Sequence, residues 1–79
     1  MDLNGLQKSI MVFVKWWANT KKTPIPKREI LKHMEEKEQI KMYTSSSALK
    51  TLMTKGYIRR AYTEQANSTA YVMTRNISI

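Results

Sequence analysis

The hydrophobic period of this chain changes once, at Gly56. Before it, apolar residues recur at steps of three and four, the spacing that holds side chains on one face of a 3.6-residue helix. After it come two β-favouring runs, Tyr57-Ile58-Arg59-Arg60-Ala61-Tyr62-Thr63 and Thr69-Ala70-Tyr71-Val72-Met73-Thr74, with the polar stretch 64–68 between them. Helices first and a hairpin last is the order of an α+β fold, in which helices gather on one side of an antiparallel sheet. The chain has 79 residues and no cysteine. It is therefore read as one small domain, 1–79, whose core forms without a disulfide or a cysteine zinc site.

Three helices are predicted. In the first, 4–19, the inward stripe is Leu3, Leu6, Ile10, Phe13, Val14 and Trp17, with Asn4 as N-cap. A stripe about 100° wide leaves Met11, Val12 and Trp16 as surplus apolar residues. These three are the candidates for a dimer or partner contact, the alternative being burial beneath the C-terminal segment. Pro24 and Pro26 force extended backbone, so a short extra strand is expected near 23–25. The second helix, 26–37, then has Pro26 at its first position, Glu29 in its first turn, and Ile30, Leu31 and Met34 facing inward. The following turn lacks Gly or Asn, and Ile40 drops back into the core. The third helix, 44–55, starts at Thr44 or a neighbour, buries Ala48, Leu49 and Leu52, and stops where Gly56 tolerates positive φ. The hairpin occupies 57–74, and period-two alternation assigns Arg59 and Arg60 to opposite faces.

The outward side of the third helix is unusual. Ser45 falls on its inner side, while Tyr43, Ser46, Ser47, Lys50 and Thr54 fall opposite, so that face is rich in hydroxyls, carries one cation and has no acid. A merely solvated helix would carry more Glu and Lys. The net charge of +8 favours polyanionic partners, and it is uneven. Residues 1–26 carry four lysines against Asp2, residues 43–79 carry five bases against Glu64, and the span 27–42 is nearly balanced, with five bases and four acids.

The order helix, extended segment, helix, turn, helix, hairpin includes Leu52-Met53-Thr54-Lys55-Gly56-Tyr57-Ile58-Arg59-Arg60, which matches the pattern L-x-x-x-G-x-I-x-R. In this the chain resembles a winged helix-turn-helix DNA-binding domain, and is similar to MarR-type regulators and to the N-terminal domain of LexA-type repressors. Pro26-Lys27-Arg28-Glu29-Ile30 likewise resembles the opening of the second helix in the LexA-type domain. Two features depart from the pattern: the serines stand about one helical turn later, and Ser45 fills an inner position where valine is common. The resemblance implies three helices with a C-terminal two-stranded hairpin as wing, and double-stranded DNA as partner.

A helix fits the major groove, and its first turn brings unsatisfied N–H groups and a positive dipole end toward phosphate or base edges. Thr44, Ser46 and Ser47 are short enough to let the backbone approach; Tyr43 reaches phosphate or stacks; Lys50 reaches guanine or the backbone; Thr54 extends the same side. Arg59, Arg60, Gln65 and Asn67 would serve the wing, on the minor groove or flanking phosphates, and Lys27 and Arg28 would hold a phosphate at the start of the second helix.

Enzyme chemistry is not expected, because His33 is the one histidine and there is no cysteine nucleophile. Glu29, His33 and Glu36 share a helix face with the spacing that begins a metal site, but are read as a solvated charged face, so no metal and no cofactor is expected. The longest apolar run, 10–14, is far short of the ~20 residues of a bilayer span. With no secretory leader evident, a cytoplasmic, nucleoid-associated protein without a membrane partner is expected. The function expected is sequence-selective binding of duplex DNA by a transcriptional repressor or regulator, as a homodimer because a single small module offers little specific area. By analogy, its size suits a phage, plasmid or archaeal element. The alternatives are a winged-helix adaptor for RNA polymerase or another protein, and a non-specific architectural DNA-binding protein.

Overall fold

The computed structural model describes residues 3–61 and 69–75. Three helices and a three-stranded antiparallel sheet follow in the order α1 (Gly5–Thr20), β1 (Ile25–Pro26), α2 (Lys27–Glu38), α3 (Met42–Thr54), β2 (Ile58–Ala61) and β3 (Ala70–Met73), an α+β arrangement.

Helix α1 opens on the residue its sequence marks. The Asn4 side chain accepts from the Gln7 N–H at 2.8 Å, and the Gln7 side chain accepts from the Asn4 N–H at 3.2 Å, a reciprocal cap that satisfies two otherwise orphaned donors. Its buried face is Gln7, Ile10, Met11 and Val14, with Phe13 and Trp17 only partly covered. At 100° per residue this is a rotation of roughly 60° from the stripe expected from spacing. The cause is that α1 packs against α2, α3, β1 and β3 together, so more of its circumference is enclosed. Of the two readings of Met11, partner contact and burial, burial holds: its side chain is 0% exposed and belongs to the core, so it is not a partner candidate.

The extra strand forms, with Ile25 opposite Tyr71 and Pro26 opposite Ala70 at one edge of a sheet ordered β1-β3-β2. Proline is tolerated there because an edge strand leaves one row of N–H positions unused. Strand pairing also corrects the start of α2: Pro26 is held extended (φ −63°, ψ 139°) as N-cap, not at the first helical position, and the Lys27 N–H donates to the Thr69 carbonyl at 2.8 Å. Glu29 in the first turn and Lys37 in the last complement the helix dipole.

Helices α2 and α3 are separated by three residues. Gln39 adopts the left-handed conformation (φ 57°, ψ 37°), and the Ile40 N–H closes on the Met34 carbonyl at 3.2 Å, returning Ile40 to the core edge. This tight turn starts α3 at Met42, two residues before the expected 44, so Tyr43 and Thr44 lie in its first turn. The N-cap is Lys41, whose carbonyl accepts from Thr44 and Ser45, with no side-chain cap. At the other end Gly56 (φ 81°) sits just past Lys55. The Gly56 N–H donates to the Met53 carbonyl and the Tyr57 N–H to the Leu52 carbonyl, both at 3.0 Å, the double closure of a Schellman motif.

Among the described residues β2 and β3 pair from Ile58 opposite Met73 to Ala61 opposite Ala70, within the hairpin expected over 57–74, and residues 62–68 of that hairpin lie outside the described residues. The Thr74 N–H donates to the Tyr57 carbonyl at 2.8 Å, anchoring the end of β3 beside the Schellman turn. One core draws on every helix and strand, including Ile10, Ile25, Ile30, Leu49, Ile58 and Tyr71. Among the described residues no helix is long and apolar enough to cross a membrane.

Candidate nucleic-acid interface

Helix α3 divides cleanly around its axis. Ser45, Ala48, Leu49 and Leu52 are buried, and Tyr43, Thr44, Ser47, Lys50, Thr51 and Thr54 are exposed, with Ser46 half-buried on one flank. Advancing 100° per residue gathers Tyr43, Ser47, Lys50 and Thr54 along one row of the open face, and sets Thr44 beside it on the other flank. Tyr43 is 71% exposed, with the Lys41 ammonium 5.9 Å from the centre of its ring. That pairing keeps a cation and a hydroxyl-bearing ring together at the positive end of the helix dipole.

Two of the threonines are already partly engaged. The Thr51 hydroxyl donates to the Ser47 carbonyl at 3.3 Å and the Thr54 hydroxyl to the Lys50 carbonyl at 3.1 Å, which turns their lone pairs outward. Thr51 belongs to this face and was not singled out from the sequence, although the same 100° rule places it next to Ser47. Lys41, read only as part of a turn, is the other omission; its place as N-cap follows from the early start of α3.

The strands resolve the arginine question. Arg59 lies opposite Val72 and Arg60 opposite Tyr71, so Arg60 shares the face of Ile58, yet both arginines are exposed. Arg60 sits beyond the edge of the core, where its guanidinium hydrogen-bonds the Tyr71 hydroxyl. Burial pushes the Tyr71 hydroxyl above its ordinary pKa, and the neighbouring positive charge of Arg60 offsets part of that rise. Arg59 reaches back to within 3.5 Å of the Arg60 carbonyl. Lys27 and Arg28 stand at the opening of α2, which the Lys27 bond to Thr69 ties to the sheet end where Ala61 and Ala70 pair. Gln65 and Asn67 lie outside the described residues. A further cation, Arg75, stacks on the Tyr57 ring at 4.4 Å, a pairing that strand alternation does not signal.

The charge distribution is one-sided. All four described carboxylates, Glu29, Glu35, Glu36 and Glu38, belong to α2, where Lys27, Arg28, Lys32 and Lys37 balance them, whereas α3 and β2 carry Lys50, Arg59 and Arg60 with no acid. His33 does not gather ligands with Glu29 and Glu36. Its ring lies flat on Phe13, with centroids 3.9 Å apart and planes 5° from parallel. Among the described residues no group of three or more His, Asp or Glu side chains is placed to hold a metal ion. Val12 and Trp16, the remaining partner candidates, are exposed on α1 at 44% and 50% and border the space between α1 and α2. Comparison with protein-family models, with curated proteins and with solved structures finds no match for this chain.

Proposed function

We propose that this chain is a winged-helix protein that binds double-stranded DNA, with α3 in the major groove and the β2–β3 hairpin as the wing, and that it acts as a transcriptional repressor or regulator. The observation that carries the reading is the open face of α3: hydroxyl-bearing side chains and Lys50, no carboxylate, and a first turn whose dipole end is flanked by Lys41. Short side chains permit a helix backbone to approach base edges closely, and Lys50 is long enough to reach guanine O6 or N7. Arg59 and Arg60 supply sequence-independent attraction to phosphate or the minor groove, and Lys27 and Arg28 hold a phosphate where α2 begins. Specificity thus resides on α3 and most of the affinity on the arginines and lysines. No cofactor enters this reading.

Selection from random duplexes, at low and at near-physiological salt, tests it. An enriched motif retained at the higher salt supports a regulator. Salt-sensitive binding without a motif replaces sequence reading with an architectural role, and absence of binding at either salt overturns the proposal in favour of a protein-binding adaptor.

A further inference from the structure

Thr51 and Thr54 stand on the open face of α3 beside Lys50, and each is tied to its own backbone. The Thr51 hydroxyl donates to the Ser47 carbonyl at 3.3 Å and the Thr54 hydroxyl to the Lys50 carbonyl at 3.1 Å. A hydroxyl has one hydrogen and two lone pairs. With the hydrogen spent on a carbonyl one turn back, the side chain offers a neighbour only acceptors, and donating elsewhere would first break that bond. Among the described residues the Thr44 and Ser47 hydroxyls, on the same face, have no such bond and can turn to donate or accept. The face is therefore not uniform. Its first half carries hydroxyls of either sense, and its second half sets a donor, Lys50, beside two fixed acceptors.

Base edges differ in the same sense. In the major groove adenine N6 and cytosine N4 donate, whereas guanine O6 and N7, adenine N7 and thymine O4 accept. A threonine free to turn pairs with either class and so selects little. Held as an acceptor, it meets an amino group favourably and a carbonyl oxygen with lone pair against lone pair, a repulsive element that sharpens discrimination. We infer that Thr51 and Thr54 are specificity-determining residues that read exocyclic amino groups, of adenine or cytosine, next to the guanine taken by Lys50. The two threonines are about 4.5 Å apart along the helix axis, against ~3.4 Å between successive base pairs, so they can serve neighbouring pairs. The inference rests on the proposed reading of duplex DNA by α3 and adds to it the polarity of the base edges read.

The test uses the motif enriched from random duplexes, with fluorescence anisotropy on the intact protein. Each adenine of the motif is replaced in turn by unsubstituted purine, which lacks the N6 amino group, and each cytosine by 2-pyrimidinone, which lacks the N4 amino group. The two series distinguish the two sources of the amine. The wild type is expected to lose about two- to tenfold in affinity at one or two positions. That loss disappears in Thr51→Val or Thr54→Val, which keep the shape and remove the acceptor, and persists in Thr51→Ser or Thr54→Ser, which keep the hydroxyl. Circular dichroism checks that each variant is folded. A motif that depends on Lys50, but whose amino groups are removed with no loss that either valine variant abolishes, overturns the inference and leaves the DNA reading standing. So does a threonine-dependent preference for guanine or thymine, since the hydroxyls would then be donating. Failure to enrich any motif overturns both.

Discussion

Ser45 is 0% exposed, and among the described residues its hydroxyl has no hydrogen-bond partner. A buried hydroxyl without a partner costs on the order of 1–3 kcal/mol in desolvation. Ser45→Ala, which deletes the oxygen and favours helix, is therefore expected to raise stability by about 1 kcal/mol in urea unfolding; a loss would show the hydroxyl to be satisfied. Tyr71 gives a pH test. Its folded-state pKa is raised, so its contribution is fully present below the ordinary value of 10.0 and is lost as pH rises through the folded value. Tyr71→Phe should then lose less thermal stability than the wild type between pH 8 and strongly alkaline pH, a difference that the shared lysine titration does not obscure. On the α3 face, Lys50→Ala is expected to cost about 1–3 kcal/mol on a selected duplex and to relax one base position. Arg59→Ala should weaken all duplexes alike and reduce the salt slope by about 1. Titrations of single-base variants by fluorescence anisotropy separate the two, and equal losses from both substitutions on every duplex would argue against groove reading.

At the scale of elements, two left-handed residues frame α3, and they respond oppositely to substitution. Gly56 (φ 81°) has open space where a Cβ would go, so Gly56→Ala costs only backbone strain, about 1 kcal/mol. Gln39 bears its Cβ in the same region (φ 57°), so Gln39→Gly should be neutral or stabilising by up to about 1 kcal/mol. Thermal unfolding of both variants checks the pair of signs. This contrast also explains what was legible in the sequence. Asn4 and Gly56 are residues whose chemistry fits one local role, and both ends were read correctly. Gln39 carries no such mark, because the left-handed turn is imposed by the packing of α2 and α3 rather than by its own preference. The start of α3 was misplaced with it, since Lys41 caps through its carbonyl alone. Between burial and partner contact the spacing could not decide for Met11: one helix's spacing reveals an apolar stripe but not how many neighbours will enclose it. The alternating pattern gave the strands, yet not that Arg60 projects past the edge of the core.

At the scale of the whole molecule, the chain sorts its charge and its apolar surface onto different sides. The exposed pair Val12 and Trp16 accompanies the α1–α2 groove, where α2 carries four bases against four acids, while α3 and β2 present hydroxyls and cations with no acid. Under the proposed function, binding to duplex releases counterions and falls steeply with salt. The most direct measurement is a backbone amide chemical-shift titration of the labelled protein with a short duplex. The account predicts that the largest changes fall on residues 43–54, with smaller ones at Lys27, Arg28, Arg59 and Arg60, and that Ser9, Val12 and Trp16 stay still. Changes gathered along the α1–α2 groove with α3 unmoved would contradict it.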